Sequence, residues 1–210
     1  MKKTFNFKFK NLALLIMFDL FIQAVKGIHP ISAKIQRDLE RRLVKTNHEA
    51  GEIIIPIGKV NDKLYFIEEG MVRCFYHKKE KGKNVEMTSW LINDFNFVYV
   101  PHSFIAQSPS VEAVETLEPT TLISISYEAL QELYQKYHEA AYIGRLITEM
   151  YLVMYDERVR SLRMMSAKDR HDAFKDNFPV IYEKASKKHI ASFLGLTPET
   201  LSRIRAKSDD

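Results

Sequence analysis

The sequence predicts an α+β chain: a short helical preface, a β barrel or jelly roll, one long helix and a C-terminal helix-turn-helix. Three observations carry this. Between Gly51 and Ser126 short apolar runs alternate with turn residues. From Tyr127 to Met165 good helix formers run on with no proline and a single glycine. From Lys187 to Ala206 the residues fill the demanding positions of two helices joined by a tight turn. The expected division is 1–16 as an N-terminal extension outside the fold, 17–126 as preface and β domain, 127–165 as a long dimerisation helix, and 166–210 as the helix-turn-helix domain.

Composition bounds the function classes. At 210 residues, 46% hydrophobic and 28% charged, the chain has material for one large domain and a small one, and lies outside the disordered and low-complexity classes. A single cysteine, Cys74, excludes an intrachain disulfide framework, a four-cysteine zinc site and an all-cysteine iron–sulfur cluster, so a reducing, cytoplasmic setting is expected. The net charge of +4 is unevenly placed. From Arg158 onward 12 Lys and Arg stand against 7 Asp and Glu, while the rest carries 19 against 20, even though its first sixteen residues hold four lysines. A basic last quarter on an acidic body suggests an anionic partner, nucleic acid first; a solvated basic face is the plain alternative.

The elements follow in order. Lys2, Lys3, Lys8 and Lys10 precede the apolar run Leu12 to Phe18 in the manner of a secretory signal, but Asp19 interrupts it and no small-x-small cleavage site follows. Nothing approaches the roughly 18–20 apolar residues of a membrane span, so no membrane partner is expected. Residues 19–47 read as helices broken at Pro30-Ile-Ser32, with Ile35, Leu39 and Leu43 at four-residue spacing. Apolar runs at 53–57, 64–67, 71–76, 85–92, 95–100, 111–117 and 122–125, punctuated by Gly58, Asn61-Asp62, Gly70, Lys81-Gly-Lys83 and Glu118-Pro119, predict seven or eight strands. In Ile123-Ser-Ile125-Ser the isoleucines point to one face and the serines to the other.

In the long helical segment Ile143, Ile147, Met150 and Met154 form one apolar stripe, and Tyr151, Tyr155, Val159 and Leu162 a second. One is expected to face the β domain and the other a second copy of the helix; a single wide stripe buried within a monomer is the alternative. Ser166 followed by Asp169 reads as a capping box that opens a new helix after a hinge near residue 165.

The last segment carries the function. Ala191 lets two helices approach, Gly195 supplies a turn with positive φ, and Ile190, Leu194, Leu196, Leu201 and Ile204 make the apolar faces. Thr197 suits an N-cap, Pro198 the first helical position, and Glu199 the first turn, where the helix dipole favours an acid. Leu201 and Ile204 then point inward and leave Glu199, Thr200, Ser202, Arg203 and Lys207 outward. An arginine can donate twice to guanine O6 and N7, a carboxylate can accept from cytosine N4, and the hydroxyls of Thr197 and Thr200 can bond phosphate. Ser186, Lys187 and Lys188, at the start of the first helix, suit backbone phosphates. A helical pair used only for packing would need no such polar face.

The order of these parts resembles the bacterial transcription regulators of the cyclic-AMP receptor protein and FNR family (Crp/Fnr), over about residues 17 to 207. The stretch Asn61-Asp-Lys-Leu-Tyr-Phe-Ile-Glu-Glu-Gly-Met-Val-Arg73 looks like that family's β-roll signature, and Thr121-Leu-Ile-Ser-Ile-Ser126 like its last roll strand. The resemblance implies a cyclic-nucleotide-binding-like jelly roll, base reading by Glu199 and Arg203, and phosphate contacts among Ser186, Lys187, Thr197 and Thr200. Departures limit what carries over. Pro198 stands where some members use arginine, so the recognised sequence need not be theirs. Where nucleotide-binding members have a Gly-Glu pair and an Arg-Ser-Ala-like run, this chain has Phe97-Val98 and Ser110-Val-Glu112. With the guanidinium gone and Glu112 and Glu115 nearby, the place is poor for an anion, and cyclic AMP is not the expected effector. Cys74 alone cannot hold the iron–sulfur cluster of the oxygen-sensing branch. The chain ends at Asp210, which leaves no room for the β wing that members usually carry after the second helix.

The expected function is a sequence-specific, homodimeric DNA-binding transcription regulator whose paired recognition helices enter successive major grooves, with half-sites about 34 Å apart. Its expected partners are double-stranded DNA, a second copy and RNA polymerase, with an effector of unknown identity and no cofactor or metal. Trp90, Phe97 and Tyr99 could line a ligand pocket, although strand aromatics are more often ordinary core. The alternative is a small-molecule-binding module that acts through protein partners without specific DNA binding. An enzyme is not expected: the dinucleotide, phosphate-loop, His-Glu-x-x-His and Gly-x-Ser-x-Gly motifs are all missing. The seven histidines (29, 48, 77, 102, 138, 171 and 189) show no metal-ligand spacing and read as surface or satisfied residues.

Overall fold

Eight strands form two four-stranded antiparallel sheets in the computed structural model, which describes residues 17–80 and 82–208; the predicted extension 1–16 lies outside the described residues. In chain order the strands are β1 (Val44–His48), β2 (Ile53–Ile55), β3 (Lys63–Glu69), β4 (Met71–Glu80), β5 (Lys83–Asn93), β6 (Phe97–Val98), β7 (Ala113–Thr116) and β8 (Thr120–Ser126). One sheet is ordered β1-β8-β3-β6, the other β2-β7-β4-β5.

Period-two alternation decides which face each side chain takes. On β3 and β8, Tyr65, Ile67 and Leu122 pack with Val72, Cys74 and Val114 of the other sheet, filling the roll. Their neighbours Leu64, Phe66, Ile123 and Ile125 point the opposite way, onto helices. The turn from β3 to β4 admits only glycine. Gly70 has φ +112, and a Cβ there would lie 2.5 Å from Thr120 Oγ1 and 2.8 Å from Thr120 Cα.

The helical layer begins with α1 (Asp19–Ile28) and α2 (Ala33–Glu40). Phe21, Ile22 and Val25 are the buried face of α1, and Ser32 caps α2 by accepting from Ile35 N–H. A short α3 (Pro101–Ala106) follows β6, and α4 (Tyr127–Lys136) and α5 (His138–Met164) follow β8. α5 lies along the roll through Ile143, Ile147 and Tyr151. Gly144, the one glycine of the long helical segment, lets α4 approach: a Cβ there would lie 2.4 Å from the Tyr134 hydroxyl.

Three expectations need correction. Residues 19–47 are not all helical, because Val44–His48 is strand β1, paired with Thr120–Ser124 of β8. The stretch 127–165 is not one helix, because Tyr137 is extended (φ −133, ψ 114) between α4 and α5. Its hydroxyl bonds Asp38 Oδ2 at 3.1 Å, and Lys136 bonds the same oxygen at 2.7 Å, so α2 fixes the break. The two stripes on α5 do not divide as expected either. Ile143, Ile147, Tyr151 and Tyr155, spaced by four, turn toward the protein, while Met150, Met154, Val159 and Leu162 are exposed.

Four helices close the chain: α6 (Ala167–Asn177), α7 (Pro179–Lys184), α8 (Lys187–Leu194) and α9 (Pro198–Ser208). Ser166 forms the capping box with Asp169, accepting from its N–H at 3.2 Å and donating to its carboxylate at 2.7 Å. Phe174, Ile181, Ile190, Ala191, Phe193, Leu194 and Leu201 make one cluster that continues into Met71 and Leu91 of the roll. Ile190 and Leu201 are fully buried, each worth roughly 1.5–3 kcal/mol relative to exposure.

Candidate nucleic-acid interface

The α8–α9 pair is set by local chemistry. Ser186 caps α8 by accepting from His189 N–H at 3.2 Å. Gly195 ends it in the left-handed region (φ 67, ψ 36), and Leu196 N–H returns to Ala191 O at 2.9 Å. Thr197 Oγ1 accepts from Thr200 N–H at 3.2 Å and so caps α9, with Pro198 at its first position.

On α9 Leu201 faces the core at 0% exposure, and Glu199 and Arg203 stand exposed on the other side, four residues apart. The Arg203 guanidinium rests 3.5 Å from the Thr200 hydroxyl. The Glu199 carboxyl is held below the usual glutamate range by its own backbone N–H and by the Thr197 hydroxyl, so it is an anion at neutral pH. Thr197, Ser186, Lys187 and Lys188 are exposed and Thr200 is half-buried. The side chain of Lys207 lies outside the described residues.

The same pair is docked on the roll through residues that sequence reasoning did not single out. Thr88 N–H of β5 donates to Ser192 Oγ of α8 at 2.8 Å, and Trp90 stands 6.2 Å from Phe193, ring to ring. From α5, Arg158 donates to Phe193 O and lies 3.8 Å over the Phe193 ring; burial, with Arg170 nearby, lowers its pKa to about 10. Arg170 holds Leu194 O at 2.9 Å and Met165 O at 2.7 Å, tying α6 to both neighbours. The sequence held one usable signal, the continuation of the Ile143, Ile147, Tyr151, Tyr155 line by Arg158.

Beneath α8, Arg73 of β4 is buried and bonded to Glu115 at 2.5 Å and Glu86 at 2.6 Å. Lys188 and Arg73 both help to hold the Glu86 carboxyl down, the hydrogen bond from Arg73 being the larger cause. His189 faces this group with its Nδ1 buried and without a hydrogen-bond partner; burial first, then Arg73, holds its pKa below the ordinary value. It therefore departs from the expectation that every histidine is exposed or satisfied. His171 fits it: its two nitrogens meet Asp172 at 2.8 Å and the Tyr182 hydroxyl at 2.9 Å.

A groove of about 440 Å³ opens between α3, the β7 approach and α5, walled by Tyr99, Ile105, Val111, Tyr151, Leu152 and Tyr155, with Glu112 at its base. A smaller cavity of about 60 Å³ lies deeper, where Trp90, Phe97 and Tyr99 meet Phe193. Phe97 is nevertheless buried core, and Trp90 packs edge-on to Tyr155 at 4.9 Å. Burial raises the Glu112 carboxyl pKa, the Ser89 hydroxyl working the other way, and among the described residues no ion pair reaches it. Ser110 spends its hydroxyl on Glu112 O at 2.6 Å. The groove, which His102 also lines, therefore offers a phosphate an acid and, among the described residues, no lysine or arginine. Cys74 is buried within the roll, and burial pushes its thiol up, away from thiolate chemistry.

Two stacked antiparallel sheets, a short helix before β7 and a long helix laid across the roll define a class. Residues 45–137 match the cyclic nucleotide-binding domain family. Among solved structures, FixK2 from Bradyrhizobium japonicum is similar at 16% identity and TM-score 0.66, over 79% of this chain and 83% of that one. The c-di-GMP-responsive global regulator CLP of Xanthomonas campestris is similar at 18% identity and TM-score 0.66, over 85% and 92%. The catabolite activator protein of Thermus thermophilus is similar at 16% identity and TM-score 0.53, over 86% and 84%. No curated protein sequence matches the chain. The roll is thus a cyclic nucleotide-binding domain in fold, and the chain shares its fold with these three solved proteins over 79–86% of its length.

Proposed function

We propose that the chain is a homodimeric, sequence-specific DNA-binding transcription regulator in which α9 reads base edges in the major groove. The observation that carries this is the outward face of α9: Glu199 and Arg203 exposed on the side opposite buried Leu201, with Ser186, Lys187 and Lys188 also exposed at the start of α8. The division into a roll unit (17–126), a helical connector (127–165) and a reading unit (166–210) belongs to this proposal, as does RNA polymerase as the downstream partner.

The exposed side of α5 supports the dimer. Met150, Leu152, Val153, Val159 and Met164 are more than 45% exposed along one helix, apolar side chains on both flanks of a charged ridge that a second copy would cover. Two α9 helices would then be presented to successive major grooves about 34 Å apart.

Affinity for duplex DNA should fall linearly with log salt, and Lys187→Ala should flatten the slope by about 0.9 for each phosphate that the lysine neutralises. An unchanged slope removes Lys187 from the phosphate-binding residues; absence of duplex binding at every salt concentration favours the module that acts through protein partners. The effector is proposed to be something other than a cyclic phosphate, because the groove is lined by Glu112 and, among the described residues, by no lysine or arginine. Millimolar cyclic AMP should leave the melting temperature unchanged, and a rise of several degrees that depends on its concentration would contradict this.

A further inference from the structure

The β4–β5 ribbon runs beyond the body of the roll. β4 is covered by β7 only from Val72 to Phe75, whereas its pairing with β5 continues to Glu80 and Lys83. From Tyr76 onward every described residue of β4 is exposed, and so are Gly82, Lys83 and Asn84. The tip reads His77-Lys-Lys-Glu-Lys-Gly-Lys83, four lysines against one acid, on an otherwise mildly acidic body. Among the described residues Lys78, Lys79 and Lys83 take part in no ion pair, unlike Lys45, Lys136, Lys168 and Lys184.

The direction in which this tip points follows from how α8 lies on β5. Thr88 bonds Ser192, and two residues nearer the tip Glu86 feels Lys188. Two strand residues advance about 6.6 Å and four helical residues about 6 Å, so helix and strand run parallel and in step. α8 begins one residue further on, at Lys187. The ribbon continues three more residues to Lys83, about 10 Å past Glu86. The tip therefore projects past the N-terminal end of α8, the end that presents Ser186, Lys187 and Lys188.

We propose that this ribbon is a second backbone-gripping element, in which Lys78, Lys79 and Lys83 contact duplex phosphates flanking the bases read by α9. The inference rests on the DNA-binding reading above and extends its footprint. A reach of about 10 Å is the axial rise of about three base pairs, and lysine ammoniums on flexible side-chain stems suit phosphates, where no base information is needed. Lysines also keep exposed strand edges from pairing with other chains, and the test separates that role from this one.

The experiment compares the full chain with the triple variant Lys78→Ala, Lys79→Ala, Lys83→Ala on duplexes of increasing length across a salt series, with Lys187→Ala as reference. All three sites are exposed, so the melting temperature should hold. The proposal expects a salt slope reduced by up to about 2.7 per bound subunit. It also expects the wild-type chain to gain affinity as the duplex grows by several base pairs on each flank, the variant not to gain, and base preference to stay unchanged. A folded variant with the wild-type slope and length dependence overturns the ribbon while leaving the α9 reading intact. A wild-type chain that binds no duplex overturns both.

Discussion

Replacing Arg73 with alanine should lower the unfolding free energy by about 3 kcal/mol, read as an earlier midpoint in urea denaturation at neutral pH. Arg73 bridges two acids of neighbouring strands, Glu86 on β5 and Glu115 on β7, and its side chain is only 6% exposed. It also lies 4.2 Å over the Phe75 ring. Removing it leaves two carboxylates side by side, one of them largely buried, beneath the helix that docks the C-terminal unit. The acids' partial contact with water keeps the loss near the lower end of the 3–5 kcal/mol typical of broken buried pairs.

The same cluster sets a pH dependence. The Glu86 carboxyl is held down in the folded chain, so its contribution is present above the ordinary glutamate value and is lost as pH falls below it. His189 is likewise held down, which means that the folded chain disfavours its proton. Its contribution is present above the ordinary histidine value of 6.5 and fades as pH falls through that value toward the folded one. Stability should therefore rise from acid to neutral pH, and Arg73→Ala should shrink the rise by relieving both groups. A variant whose stability and pH profile match the wild type would contradict this account of how α8 is seated.

The second large effect is on recognition. Arg203→Ala should cost about 1–3 kcal/mol on the preferred duplex, roughly 5- to 150-fold, and relax preference at one base position in each half-site. The reasoning is geometric: Arg203 is exposed on α9 and, among the described residues, its hydrogen bond is the long one to the Thr200 hydroxyl at 3.5 Å, which leaves its guanidinium able to present both arms. Folding should be unaffected, because the residue lies opposite Leu201. An equal loss on every sequence would assign Arg203 to phosphate instead.

What the sequence disclosed was what local chemistry decides. The caps at Ser166 and Thr197, the left-handed Gly195 and the alternation Ile123-Ser-Ile-Ser each involve partners within a few residues. The misses all depend on distant partners. Val44-Lys-Thr-Asn-His48 has no strand pattern of its own and becomes β1 because β8, far along the chain, offers it an edge. Tyr137 interrupts a good helical run because Asp38, 99 residues away, takes its hydroxyl. The docking of α8 on β5 rests on Ser192 and Thr88, 104 residues apart, two ordinary polar residues until the fold brings them together.

The stripes of α5 were visible as apolar residues, but which side faced the roll was not. Ile143, Ile147 and Tyr151 face inward because the outer face of β3 and β8 presents Leu64, Phe66, Ile123 and Ile125 to them, a surface no helical periodicity reveals. The candidate reading residues were found by their spacing within one helix, and the structure leaves Glu199 and Arg203 at the surface.

The central claim, that α9 reads bases from a symmetric pair of subunits, is tested most directly by selecting bound sequences from a random duplex pool with the wild-type chain. The account predicts enrichment of a two-fold symmetric site with half-site centres about 10–10.5 base pairs apart, roughly 34 Å. Recovery of no common sequence, with retained duplexes differing only in length or charge, would contradict it.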